Sequence, residues 1–456
     1  MSKKEQLFDD FSPVSLAEWE QKIAKDLKGK SIKELEWNLD NNIELLPNYN
    51  KENAKVIEPQ HSTSSKENKY SNEWNTSVFI LVEGEKEANK KALKALAEGA
   101  NALTFVGDIT QLDVLLKDIM IEIITLDFIC AKTSEISQAL RLICQKRNLP
   151  YSEIKGSISF DYLGNFARKG NWHNSFSDII KEFNTHLSNS SDCQLNLLTA
   201  SNYYFQLSGA NITQQLGIAL AHGVEYFNIL NEENTNELLA NRLQFHFGIG
   251  GNYLAEIAKL RAFRILWSKV LDAFGTSTEK LTINTVTSTL FWSDKQPKNN
   301  MLRATSSAMS AVIGGCDSLT IPPFDSVDEN KESFSDRIAH NVQLILKEES
   351  YFDKVVDPAK GSYFIENLTS ELVEKGWAFF QEIEKQGGYI NSLESGFIQQ
   401  EISLSADQLI QQFNSGELSL VGVNKYETDD KKVTLKRIPN DTKSTAITPL
   451  SFLHIH

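Results

Sequence analysis

Cysteine, methionine and proline are scarce in this chain of 456 residues, at four, four and ten. The cysteines, Cys130, Cys144, Cys193 and Cys316, lie far apart and form no CxxC pair. That spacing excludes a disulfide framework or a cysteine zinc site, and it suits small core residues in a reducing compartment. No apolar run approaches the roughly 20 residues of a membrane helix. The opening MSKKEQLFDDF has no apolar stretch for a secretory signal, and its acids argue against a mitochondrial leader, so the expected location is cytoplasmic. A basic excess is also missing. The net charge of −14 excludes a general nucleic-acid-binding surface. The eight histidines form no HExxH pair, and there is no GxSxG elbow. His454 and His456 make an HxH at the C-terminus, read here as a frayed end, so no metal site is expected.

Apolar content of 41% is ample for a sizeable core. SLAEWEQKIAKDLK (15–28) reads as a helix with a capping box from Ser15 to Glu18, a stop at Gly29, and Leu16, Trp19, Ile23 and Leu27 on one face. From Asn38 to Asn75 the chain is polar with little periodicity, which suggests an arm. SVFILVEG is then strand-like, and alternating strand and helix patterns follow it. Counted from Ala102, the strands are 102–106, 121–126, 156–160, 195–200, 243–247, 282–287, 317–321 and 362–365. Eight strands with intervening helices fit a (β/α)8 barrel, although pattern alone also allows an open doubly wound sheet. The division expected is an N-terminal helix and extended arm over 1–75, an α/β barrel over 76–426 and a polar tail over 427–456.

In the strand RLQFHFG, alternation sets Gln244 and His246 on one face, as a satisfied polar pair or a ligand contact. GIGGN (248–252) opens a helix. It reads first as a backbone turn and second as a phosphate cradle, without the lysine of a phosphate loop.

Several stretches carry a more specific signal. VVDPAKGSYFIENLT (355–369), EIEKQGGY (382–389), EIAKLRAFRILW (256–267), KNNMLRATSSAMSAVIGGCDSL (298–319), RIAHNVQLILKEES (337–350) and VGVNKY (421–426) resemble the methylmalonyl-CoA mutase family, in that family's order. The opening FSPVSLAEWEQKIAKDLKGKSIKELEW, followed by PNY, is similar to its N-terminal arm. The resemblance covers about residues 8–426. It implies a TIM barrel from a complex that interconverts methylmalonyl-CoA and succinyl-CoA with adenosylcobalamin.

Departures from the family's catalytic pattern are concentrated at the site. No histidine here lies in the family's Asp-x-His-x-x-Gly cobalt-binding motif. Where catalytic members read roughly SISGYH, this chain reads LSGAN: Ala210 stands for the tyrosine and Asn211 for the histidine. Ser159 and Phe160 replace a Gln–Asn pair that faces substrate, and Arg168 and Lys169 lie near the place of a substrate-binding arginine. An asparagine supplies no proton near neutral pH. The resemblance therefore implies a small, non-catalytic chain that pairs with a large, cobalamin-carrying subunit and binds no cofactor alone. Trp19, Trp37, Pro47 and Tyr49 are interface candidates, with packing on the chain's own barrel as the alternative. A second reading is an acyl-CoA-binding barrel of a split mutase whose cobalamin module is a separate chain.

Overall fold

The computed structural model describes residues 14–39, 43–54, 71–172, 175–190, 192–230, 236–278, 281–328, 334–427, 433–438 and 446–454. The first described element is the expected capped helix, Leu16–Asp26. The Ser15 N–H donates to Glu18 Oε2 (2.8 Å), and the Glu18 N–H donates back to Ser15 Oγ (3.3 Å). None of this helix's residues is buried. Beyond it, β1 (Trp37–Leu39) and β2 (Ile43–Leu45) form an antiparallel hairpin. Leu39, Ile43 and Leu45 join the main core, so this part of the arm is anchored to the body. Its three-residue strands are too short to show periodicity in sequence.

Eight parallel strands follow: β3 (Asn75–Leu81), β4 (Ala102–Val106), β5 (Thr125–Ile129), β6 (Lys155–Ser159), β7 (Leu198–Ser201), β8 (Leu243–Ile249), β9 (Thr282–Thr287) and β10 (Ser318–Thr320). Their order is β6-β5-β4-β3-β10-β9-β8-β7. A bridge between Ser157 and Asn196 joins the two outer strands, with N–H···O bonds of 3.0 Å on either side, and nearly closes the ring. This is the (β/α)8 barrel expected, with its strand count redistributed. The first strand is 75–81, and 362–365 instead opens the helix Tyr363–Lys385. Ile365, Leu368, Leu372, Phe379 and Ile383 are buried along it at helical spacing, which overrides the short alternation of SYFIE.

Close approaches decide where glycine is required. Gly156 in β6 has φ +122°, and a Cβ there would lie 1.9 Å from the Leu126 carbonyl oxygen. The helix Ile212–Leu230 packs on Tyr363–Lys385, where a Cβ on Gly217 would lie 2.7 Å from Phe379. Among the described residues no helix is long and apolar enough to cross a membrane.

The barrel interior is hydrophilic, whereas Val, Ile and Leu usually fill it. Ser77 and Thr104 hydroxyls meet at 3.0 Å, and Ser157 donates to Asp127 Oδ1 at 2.6 Å. Ser159 and Thr199 hydroxyls lie 2.7 Å apart, and Gln244 donates to Thr199 Oγ1 at 3.0 Å. Asn196 and Asn284 both donate to Gln244 Oε1. Asn196 and Thr199 are three residues apart yet both face inward, so the chain is irregular between them.

Candidate functional site at the barrel mouth

Loops that follow parallel strands gather at one end of a barrel, where such folds place their chemistry. Here that mouth is unevenly furnished. On the β3 side, Phe79 and Leu81 are 53% and 52% exposed. They alternate with core residues and so share the inward face of Ser77. On the β7 side the mouth is closed by the chain itself.

The LSGAN stretch does not directly follow a strand. β7 ends at Ser201, a short helix (Tyr203–Leu207) intervenes, and Gly209 turns with φ +93°. Ala210 is buried. Asn211 caps the helix Ile212–Leu230: its Oδ1 accepts the Gln214 N–H (2.8 Å), while its own N–H donates to Gln214 Oε1 (3.0 Å). The carboxamide oxygen is thus committed to the helix backbone, which fixes the side chain in a capping role. The helix Phe397–Ser415 lies over this turn. Gln214 Nε2 donates to the Glu401 carbonyl (2.9 Å), and the Ser405 hydroxyl donates to the Gly209 carbonyl (2.7 Å).

Ser159 and Phe160, at the end of β6 and just beyond it, are also engaged within the chain. Ser159 is fully buried in the lumen network, and Phe160 packs edge-on against Tyr162. Arg168 and Lys169 are exposed at the end of the helix Tyr162–Lys169, where Arg168 donates to Asn165 Oδ1. His246 does face the lumen, with Nε2 3.1 Å from Asn284 Nδ2. Burial holds its pKa down to about 4, so it is a neutral imidazole at neutral pH.

Sequence reasoning missed a cluster behind this wall. Asp161 accepts the N–H groups of Gly164 and Ser201 and the hydroxyl of Tyr226. His222 Nε2 lies 3.0 Å from Asp161 Oδ1, and its ring stacks on Tyr226 and Tyr389. Burial, then the Asp161 charge, pushes both phenols well above their ordinary pKa, so neither releases a proton near neutral pH. The cluster ties the end of β6, β7 and three helices together. Residues this far apart in the chain gave no local signal.

The GIGGN turn follows its first reading. A Cβ on Gly248 would lie 1.9 Å from Gln206 Oε1, and the Gly250 N–H donates to Glu256 Oε1 at 2.9 Å. That donor is therefore engaged within the turn's own helix.

Adenosylcobalamin calls for an imidazole presented to cobalt, and the imidazoles described here do not fit. His186 is held between Ser137 and the Ile158 carbonyl, His222 lies between two tyrosine rings, His246 faces Asn284, and His340 is buried. His61, His173 and His456 lie outside the described residues. Among the described residues no group of three His, Cys, Asp or Glu side chains forms a metal site.

Of the interface candidates, Trp19 is half-buried, and Trp37 and Pro47 are exposed. Tyr49 meets Phe364 edge-on at 5.4 Å and receives a hydrogen bond from the Leu46 N–H.

Several of the segments most like the mutase family carry buried ionic or hydrogen-bonded contacts. Arg261, 2% exposed, bonds Asp357 and Glu366 at 2.8 Å each. Arg264 reaches the Gly315 carbonyl and Asp317. Lys259 is enclosed by Glu256, the Gly248 carbonyl and Gln215. Gly387 and Gly388, both at positive φ, turn the chain so that the Tyr389 N–H donates to Glu225. Thus EIAKLRAFRILW, VVDPAKGSYFIENLT, GGCDS and QGGY bind one another or the helices beside them.

The sequence profile of methylmalonyl-CoA mutase matches residues 102–453. The methylmalonyl-CoA mutase small subunit of Porphyromonas gingivalis is 34% identical, over 99% of this chain and 76% of that protein. The methylmalonyl-CoA mutase of Cereibacter sphaeroides is 35% identical over 62% of this chain and 41% of its own length. The large subunit of the P. gingivalis mutase is 35% identical over 51% of this chain and 33% of its own length. The chain thus spans most of the first of these relatives and less than half of the other two. A nearly closed eight-stranded barrel, braced by the segments that carry this likeness, belongs to the methylmalonyl-CoA mutase family.

Proposed function

We propose that this chain is the small, non-catalytic subunit of a heterodimeric methylmalonyl-CoA mutase. It supports a large subunit that interconverts methylmalonyl-CoA and succinyl-CoA with adenosylcobalamin. The observation that carries this reading is the committed Asn211: its side chain caps a helix, in a turn clamped under the chain's own C-terminal helix. In this reading 1–75 is the N-terminal helix and extended arm, 76–426 the mutase-like barrel and 427–456 the C-terminal tail, whose described Arg437 and Ile447 bond the Ser403 and Ala167 carbonyls. The Leu16–Asp26 helix buries none of its residues on this chain, which suits a face completed by the partner.

Native mass spectrometry of the chain from its own cells tests the proposal. A one-to-one complex with a heavier, cobalamin-carrying chain supports it, and a homo-oligomer with no such partner overturns it. The hydrophilic lumen and the exposed Phe79 and Leu81 favour a second reading, in which the barrel binds an acyl-CoA itself and works with a separate cobalamin chain. Calorimetry with succinyl-CoA on the isolated chain decides that point: saturable binding supports this reading, and heat no different from dilution removes it.

A further inference from the structure

One side of the barrel mouth carries apolar side chains that this chain leaves uncovered. β9 and β10 are neighbours in the ring, and described contacts join the segments that follow them. Phe334, at the start of the helix Ser335–Leu344, meets Phe324 with ring centroids 5.6 Å apart. Asn300, in the helix Asn299–Ile313, donates to the Phe324 carbonyl at 3.0 Å. Arg303 of that helix donates to Asn300 Oδ1 and to the Val421 carbonyl, both at 2.7 Å. Contact by contact, this makes one continuous rim. On it Leu302 is 71% exposed, Tyr426 77%, Val421 55% and Phe334 42%. Contiguous apolar surface of this kind marks a site of interaction.

The turn that carries Val421 and Tyr426 is firmly built from its inner side. Val423 is buried in a small cluster with Phe413 and with Val433 and Leu435 of the antiparallel hairpin of β11 (Val433–Arg437) and β12 (Leu450–His454). Asn424 accepts the Leu420 N–H (2.6 Å) and donates to the Leu418 carbonyl (2.8 Å). Gly422 has φ +79°, and a Cβ there would run into Gln296 Oε1. The side chains of Val421, Lys425 and Tyr426 are exposed on the outer side. Tyr426 has φ +55°, a conformation that costs a bulky residue free energy. A rigid turn that holds out an aromatic ring suits an interface anchor, because little ordering remains to be lost on binding.

Charge selects the partner. The chain carries −14 overall, yet Lys298, Arg303 and Lys425 at this rim form no ion pair with a carboxylate among the described residues. Arg303 bonds an amide and a carbonyl instead, and Lys425 lies over the Tyr426 ring at 5.7 Å. Glu427, the acid that follows, is taken by Lys295 at 2.7 Å. Two copies of the chain meeting rim to rim would set these cations against each other, and an anionic lipid surface would meet the net negative charge. We infer that this rim docks the large mutase subunit, through a surface on that subunit that is apolar and fringed with carboxylates. The inference rests on the subunit reading and adds to it a contact surface besides the N-terminal helix. Phe79 and Leu81, which face the lumen, lie outside it.

The test is a sedimentation titration of this chain with the large subunit purified from the same cells, at low and at physiological salt. Leu302→Glu and Tyr426→Asn probe the apolar contact. Both positions are exposed, and asparagine suits the positive φ, so the fold is kept. Each variant is expected to bind about tenfold more weakly or worse. Lys425→Glu is expected to lose affinity by a factor that shrinks as salt rises. Should Leu302→Glu fail to fold, hydrogen exchange of the unsubstituted chain decides: adding the large subunit must slow residues 298–303 and 420–426. If the parent binds and the variants bind equally well, with no slowing there, the docking surface is overturned and the subunit reading stands. If the parent does not bind the large subunit at all, both fall. If the parent pairs with itself and exchange slows at the same residues, the rim belongs to a second copy and the large subunit is refuted as its occupant.

Discussion

Asn211 and Gln214 cap each other, each side-chain oxygen accepting the other's backbone N–H, at 2.8 and 3.0 Å. Asn211, which the family resemblance sets against a catalytic histidine, therefore has a defined structural task. Asn211→Ala is expected to cost about 1 kcal/mol of stability, as loss of an N-cap does, and Asn211→Asp much less. Urea unfolding of the three proteins checks this. Restoring the catalytic pair with Ala210→Tyr and Asn211→His is expected to give no mutase activity in the isolated chain supplied with adenosylcobalamin, because the turn stays beneath Ser405 and Ala406.

Arg261 is buried between Asp357 and Glu366. Arg261→Met leaves two carboxylates without their cation and is expected to destabilise the chain by about 3–5 kcal/mol. The measurement is thermal and urea unfolding of the isolated chain. A loss under 1 kcal/mol would mean these ion pairs contribute little.

His186 predicts a pH dependence. Burial holds this imidazole's pKa down to about 4, against roughly 6.5 for a free histidine. The folded pKa lies below the unfolded one, so folding favours the neutral ring. Its contribution is complete above the unfolded pKa of roughly 6.5 and is lost as pH falls through the folded value, a loss on the order of 3 kcal/mol. Stability measured from pH 7 to pH 4 is expected to fall less steeply for His186→Gln than for the parent.

Gly217 faces Phe379 where the helices Ile212–Leu230 and Tyr363–Lys385 approach. Gly217→Ala raises helix propensity, yet it is expected to cost about 1–3 kcal/mol through overpacking. Equal or greater stability in denaturant would show that the helices can part at no cost.

Trp19 is half-buried on a helix none of whose residues is fully buried on this chain. Trp19→Glu is expected to cost the isolated chain about 1 kcal/mol, a fall of roughly 2–4 °C in melting temperature. Its larger expected effect is on assembly, with affinity for the large subunit reduced at least tenfold in a sedimentation titration. Unchanged affinity would remove this helix from the interface.

Alternation of strand and helix made the barrel legible in the sequence. The miscount had a local cause: Ser362 and the apolar residues after it look like a short strand until the spacing from Ile365 to Ile383 is followed further. The C-terminal hairpin carried a readable signal, because Val433 and Leu435 alternate with Thr434 and Lys436, but five residues within a polar tail are easily passed over. At the mouth, residue identity led to the expectation that Ala210 and Asn211 carry no proton chemistry. That Asn211 is a cap and that Glu401 and Ser405 clamp its partner depends on contacts between segments nearly 200 residues apart, which no local pattern records. The Asp161–His222 contact was hidden for the same reason.

The hydroxyls and amides along the barrel axis have a consequence for how such a chain changes over time. Cohesion here comes from helices pressed on the outside of the ring and from the buried ionic contacts among them, so exchanging one small polar group for another along the axis disturbs little of what keeps the ring together. A chain built this way can shed its reactive groups and still keep its shape, leaving a body whose remaining constraints are its outer faces.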